Sequence, residues 1–279
     1  MRALRWGCAL LALALGLSLA APLCLAQTAP QPCVQPLRVG VSLLGVAYFK
    51  QGGQAHGADL DLARELGRRL NCAIDIVEMS RPRLLVSLQG GDYIDLAMST
   101  IPKVEREAYA QFVQLGVTRD YLLVHRRLAT PGFDLQHFMA QPGLRMGELV
   151  DGNYDPAVAA QLAVLEKQGR TEIASREELL IPRLIAGHYD GLILTPTYFV
   201  RALSELKGGG DIRSISIAEA KYRPVGVYMS RKTLSDERRQ QIASTMGAMH
   251  SDGTLLRIYR QYFQAALARE RVDFTSPQP

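Results

Sequence analysis

Apolar positions along this chain switch repeatedly between the two-residue period of strands and the longer period of helices. Residues 37–42 place Leu37, Val39 and Val41 on one side of a strand. Residues 57–71 carry Leu62, Leu66 and Leu70 four apart, which predicts a helix with one buried stripe. Ile74-Asp75-Ile76-Val77 predicts the next strand. Leu84, Leu85 and Leu88 suit a short helix that stops at Gly90-Gly91, and residues 95–98 read as a third strand. This βαβαβ order predicts a parallel sheet with right-handed crossovers.

A second alternation follows the turn Thr130-Pro131-Gly132. Strands are predicted at 144–146, 172–174 and 191–194. Helices are predicted from Pro156 to about Lys167, over 177–186 with a kink at Pro182, and from 195 to Leu206. Gly208-Gly209-Gly210 reads as a flexible turn, because no Lys-Ser or Lys-Thr follows to make a phosphate loop. The apolar run 225–229 predicts a returning strand. Helices at 235–250 and 255–268 finish the chain, and Leu255, Ile258, Tyr259, Tyr262 and Phe263 form a core-packing stripe on the second. The fold class is therefore α/β. Two lobes are expected, each a mostly parallel sheet flanked by helices, with the tail packed back on the first.

The start of the chain has a processing signature. Arg2 and Arg5 precede an almost wholly apolar run from 8 to 19, and Cys24-Leu25-Ala26 offers small residues at the usual offsets. A cleaved signal at 1–26 is expected, with a mobile Pro- and Gln-rich leader at 27–36. About 253 residues remain, enough for two modest domains. The formal charge of +5 falls to about +3 with the two arginines gone, and no basic tract is interleaved with aromatics, so nucleic acid is not an expected partner.

Only Cys33 and Cys72 survive cleavage, and one pair in an exported chain suggests a disulfide. Each cysteine precedes one of the first two strands. If those strands are parallel neighbours, both lie at the same sheet end and geometry permits the bridge. The closed loop of about 40 residues is worth roughly 4 kcal/mol in the chain-entropy account.

The densest chemistry lies in Asp95-Leu96-Ala97-Met98-Ser99-Thr100-Ile101-Pro102-Lys103-Val104-Glu105-Arg106. It reads as a strand, a hydroxyl pair, a proline opening a helix, and an arginine in the first turn. Ser99 and Thr100 would sit at a helix start that attracts anions, and Arg106 adds a fork of donors shaped for a carboxylate. Arg81, in the loop after the second strand, lies on the same rim. The five histidines are scattered without metal-ligand spacing, and residues 40–45 lack the spacing of a nucleophile elbow. No metal and no cofactor is expected.

Ser99 to Arg106, with Gly57-Ala58-Asp59-Leu60-Asp61-Leu62-Ala63 upstream and Ser251-Asp252-Gly253-Thr254-Leu255-Leu256-Arg257-Ile258-Tyr259-Arg260-Gln261-Tyr262-Phe263 at the end, resembles the periplasmic solute-binding proteins of family 3. The resemblance spans about 37–265. It implies a two-lobed periplasmic-binding fold joined by two hinge strands, near 123–127 and 223–227. Lobe 1 would be 37–125 plus 226–279, and lobe 2 would be 126–225. It implies a periplasmic monomer that closes on a small anion or an amino-acid-like ligand and delivers it to an inner-membrane ABC permease. Ser99, Thr100 and Arg106 would grip a ligand carboxylate, with Tyr48 as a covering aromatic. Asp151 and Tyr154 would come from the second lobe. Thr195 stands where amino-acid binders place an aspartate for the ligand ammonium, a departure that keeps simple carboxylates in view. Alternatives on the same fold are a periplasmic sensor or redox-partner accessory, and an exported dehydratase or lyase using Asp59, Asp61, Glu148, Asp151 or His188 as acid or base.

Overall fold

A computed structural model describes residues 33–149, 152–174 and 176–273. The expected signal peptide, most of the leader and Asp151 lie outside the described residues. Two five-stranded sheets form the frame, and their strands sit where the sequence alternates. The first has the order β4-β1-β5-β12-β6, from β1 (Leu37–Val41), β4 (Ile74–Glu78), β5 (Leu96–Thr100), β6 (Ala110–Thr118) and β12 (Arg223–Ser230). The second has the order β11-β7-β10-β8-β9, from β7 (Tyr121–His125), β8 (Met146–Leu149), β9 (Thr171–Ala174), β10 (Gly191–Leu194) and β11 (Ile212–Ser216). A small hairpin pairs β2 (Phe49–Gln51) with β3 (Gln54–His56).

In each sheet a single strand runs against the rest. In the first, β1 is parallel to β4 and β5, whereas β12 is antiparallel to β5 and β6. In the second, β8 is parallel to β9 and β10, whereas β7 is antiparallel to β10 and β11. The reversed strand is, both times, the one that arrives from the other lobe. Helix α1 (Ala58–Leu70) covers the first sheet and buries Leu62, Leu66 and Leu70 as the spacing predicts, joined there by α7 (Asp236–Ser251) and α8 (Thr254–Tyr259). Helix α2 (Arg81–Gly90) covers the other face through Leu84 and Leu88. In the second lobe, α3 (Leu135–Ala140) and α4 (Pro156–Lys167) pack on one face, and α5 (Leu180–Ile185) and α6 (Pro196–Glu205) on the other. Among the described residues no helix is long and apolar enough to cross a membrane.

Several expectations move. Residues 121–125 pair with β10 and β11, so the first crossing between sheets falls at 119–120 rather than 123–127. The second crossing enters β12 at Arg223. Asp120 and Arg223, one at each crossing, form a buried ion pair at 2.6 Å. Asp120 also accepts the Asp155 N–H at 2.7 Å, and Arg223 donates to the Asn153 carbonyl at 2.7 Å. Burial pushes the Asp120 carboxyl upward while Arg223 pulls it down. Pro102 opens no helix. One 3-10 turn, Val104–Arg106, follows it, and the Lys103 N–H is taken by the Tyr228 hydroxyl at 2.7 Å. The segment after Gly253 is two helices, α8 and α9 (Ala265–Val272), because Gln264 is extended at φ −56°, ψ 149°. Arg81 lies at the start of α2, not in a loop.

Cys33 and Cys72 form a disulfide with their Cα atoms 4.9 Å apart. The Cys33 N–H also bonds to the Asn71 carbonyl, so the described end of the expected leader is tied to the lobe. Replacing both cysteines by serine should lower the unfolding free energy by about 3–4 kcal/mol in denaturant titrations. Asp120→Ala leaves Arg223 buried without its counter-ion and should cost about 3–5 kcal/mol in the same measurement.

Candidate functional site

Ser99 and Thr100 end β5, Arg106 closes the turn that follows it, and Arg81 opens α2 in the first lobe. In the second lobe Tyr154 precedes α4 and Thr195 lies between β10 and α6. Ser99 holds a left-handed backbone at φ 50°, uncommon for a residue with a Cβ. Two contacts fix it there. Its hydroxyl donates to Asp59 Oδ1 at 2.8 Å, and its carbonyl accepts from the Arg81 guanidinium. Arg81 also donates to the Met98 carbonyl at 3.2 Å. Thr100 is fully buried, and its hydroxyl donates to the Gly226 carbonyl at 3.1 Å, fastening β5 to β12.

Arg106 is half-buried. Its guanidinium lies 5.7 Å above the Tyr228 ring and donates to the Ile101 carbonyl at 3.1 Å. Among the described residues no carboxylate stands within ion-pair distance of it. Tyr48 packs into the core of the first lobe, and its hydroxyl donates to Glu78 Oε2 at 2.8 Å. Burial and Glu78 push its phenol up to about 12.

On the second lobe the Tyr154 hydroxyl accepts the Leu149 N–H at 3.2 Å. Thr195 is the residue before α6 and is partly exposed, with no side-chain bond to the helix start. Glu148 lies at the end of β8, where burial and the neighbouring Glu166 push its carboxyl up. Asp155 caps α4 through the Ala157 N–H at 2.8 Å.

The lobes touch directly. The Val46 N–H donates to the Thr197 carbonyl at 2.9 Å. Gly45 makes that approach possible, for a Cβ there would stand 1.9 Å from the same oxygen, and its φ is 45°. Arg201 of α6 lies 4.4 Å above the Phe49 ring. Sequence reasoning missed this contact pair, and it missed Arg271, whose Nη1 donates to Thr197 Oγ1 at 3.3 Å.

Asp59 is 5% exposed. Burial raises its carboxyl to about 6, against the Ser99 hydrogen bond and the charges of Arg271 and Arg81. A carboxyl raised in the folded state contributes stability fully below its unfolded value and loses it as pH rises through the folded one. Wild-type stability should therefore decline between about pH 4 and 6.5 by an amount on the order of 3 kcal/mol, and Asp59→Asn should flatten that slope in pH-dependent melting curves.

Residues 37–265 match the profile of the bacterial extracellular solute-binding proteins, family 3. The chain is 26% identical over 262 residues to the histidine-binding periplasmic protein of Salmonella typhimurium, covering 90% of this chain and 96% of that one. Among solved structures, the probable amino-acid ABC transporter extracellular-binding protein ytmK from Bacillus subtilis superposes with a TM-score of 0.66 at 20% identity, covering 82% of this chain and 99% of that one. The ancestral amino-acid-binding protein AncCDT-1, described as a precursor of cyclohexadienyl dehydratase, superposes with a TM-score of 0.62 at 19% identity over 82% of this chain and 95% of that one.

Proposed function

Because the chain belongs to the bacterial extracellular solute-binding proteins of family 3, we propose that it captures a small carboxylate-bearing or amino-acid-like solute between its lobes and hands it to an inner-membrane ABC permease. The observation that carries this reading is Arg106, a half-buried guanidinium in the turn after β5 with no carboxylate partner among the described residues. A ligand carboxylate supplies the missing counter-charge and can take two parallel hydrogen bonds from the guanidinium plane. Ligand contacts from both lobes then favour the closed form over the open one. The match to a histidine-binding relative supports the ligand class and the periplasm as the place of capture, after removal of residues 1–26. Such a carrier acts as a monomer.

Nothing covalent is required of the cleft. The chain is read as a binding protein and not as an enzyme, in line with its similarity to a histidine-binding periplasmic protein. Thr195 presents a hydroxyl where an ammonium would need a charge, so carboxylates without an amino group rank beside amino acids as ligands.

A thermal-shift panel of amino acids and simple mono- and dicarboxylates should raise the melting temperature for at least one carboxylate class. Calorimetry with that compound should then show binding abolished in Arg106→Ala, while the variant's own stability stays within about 1 kcal/mol of wild type. Undiminished affinity in the variant would reject the carboxylate assignment.

A further inference from the structure

The disulfide has a charged neighbour. Arg238 lies in the first turn of α7, where its N–H is taken by the Ser235 cap at 3.2 Å. A cation in that turn runs against the helix dipole. The next arginine, Arg239, pairs with Asp236, but among the described residues no carboxylate stands within ion-pair distance of Arg238. Its guanidinium donates instead to Cys33 Sγ and, at 3.1 Å, to Cys72 Sγ, and its other terminal nitrogen donates to Gln241 Oε1. Burial without an acidic partner pulls the guanidinium below its ordinary value. Both cysteines are partly exposed, so a thiol from solution can reach the bridge.

A disulfide sulfur is neutral and a weak acceptor, so the guanidinium gains little from the oxidised pair. A thiolate in the same place carries a full charge and takes a charge-assisted hydrogen bond. The contact is therefore stronger when the bridge is open than when it is closed, and it favours reduction. The end of α1 works the other way, because Cys72 follows its last carbonyls, where negative charge is disfavoured. The arginines at that end do not relieve this. Arg68 and Arg69 are both held by Glu65, and Arg69 also by Asp252. Arg238 is the cation that hydrogen-bonds the sulfurs.

We propose that the Cys33–Cys72 bridge is a thiol-exchange site that accepts electrons from a thiol reductant, with Arg238 stabilising the sulfur that leaves. The step runs in two exchanges. An external thiolate attacks one sulfur of the bridge, a mixed disulfide forms as the Cys33–Cys72 bond breaks, and the electron pair stays on the other sulfur as a thiolate beside Arg238. A second external thiolate attacks the mixed disulfide, leaves as the oxidised external pair, and frees the second cysteine. Two electrons pass to the protein. Of the two protons given up by the external thiols, one goes to the second cysteine and one to solvent. The solute-binding reading plays no part in this step.

Equilibration of the purified protein in mixtures of reduced and oxidised glutathione, followed by acid quench, alkylation and mass spectrometry, gives the equilibrium constant for reduction. Arg238→Gln should make the bridge about tenfold harder to reduce, which is a potential about 30 mV lower. In the reduced protein at neutral pH, iodoacetamide should modify the more reactive cysteine about threefold faster in the wild type than in Arg238→Gln. A packing role for Arg238 would move the equilibrium and leave that rate unchanged. Circular dichroism checks the fold of each form. If Arg238→Gln does not fold, the reduced wild type decides alone, and its faster cysteine should react with iodoacetamide more quickly than free glutathione does. Equal equilibrium constants in a folded variant, or an alkylation rate no higher than that of the variant or of glutathione, overturns the exchange site. So does a reduced wild type that unfolds, because Arg238 then has no thiolate to hold.

Discussion

The buried pair of Asp120 and Arg223 is the constraint around which the rest of the molecule is arranged. The chain passes from lobe to lobe twice, and these two residues sit one at each passage. Their hydrogen bonds to Asp155 and Asn153 extend the fastening to the segment that opens α4. Separating a buried charged pair leaves each partner uncompensated and is strongly destabilising. Relative motion of the lobes must therefore turn about this point and not pull the crossings apart. The reversed strand in each sheet is the consequence in topology, since each lobe completes its sheet with a strand that has just crossed.

With the pivot fixed, the chemistry of the cleft depends on which polar groups remain uncommitted. Most of the first rim is spent on holding itself in shape. Ser99 serves Asp59, Arg81 covers two carbonyls of the β5 end, Thr100 binds the Gly226 carbonyl, and Tyr48 answers Glu78. The left-handed backbone at Ser99 costs about 1–3 kcal/mol and persists because these contacts over-determine it. Arg106 is the exception, since among the described residues its guanidinium bonds one carbonyl and otherwise lies over the Tyr228 ring. In the carboxylate-binding reading proposed above, Arg106 is the group on this rim that meets the ligand.

The periodic parts of this architecture were legible in the sequence. Leu62, Leu66 and Leu70 marked α1, and the run 191–194 marked β10, because burial on one face or on both leaves a period in the chain. The family resemblance supplied the two-lobed plan. What stayed hidden were features decided by partners distant in sequence. The run 121–125 looked like the end of the first lobe, and only its pairing with β10 and β11 assigns it to the second. Pro102 suggested a helix on local preference, but the Tyr228 hydroxyl, 125 residues away, takes the Lys103 N–H and leaves a single turn. The tail stripe at Leu255, Ile258, Tyr259 and Phe263 was read correctly as core, while its break at Gln264 had no local signal. Among the site residues, hydroxyls and rings proved the least legible, since a side chain that can donate inward or outward gives no sequence cue to its choice.

Gly45 shows how far the closed geometry is a matter of main chain. The lobes meet there through a backbone N–H and a backbone carbonyl, with no side chain between them. Any Cβ at that position would collide with the Thr197 carbonyl at 1.9 Å, so the closest approach of the lobes is set by the absence of an atom. That approach also holds the start of α6 against the segment that follows β1. The Gly45 contact therefore ties the residues after β1 to the start of α6 through main chain alone, so the spacing of these two segments is set by backbone and not by side-chain choice.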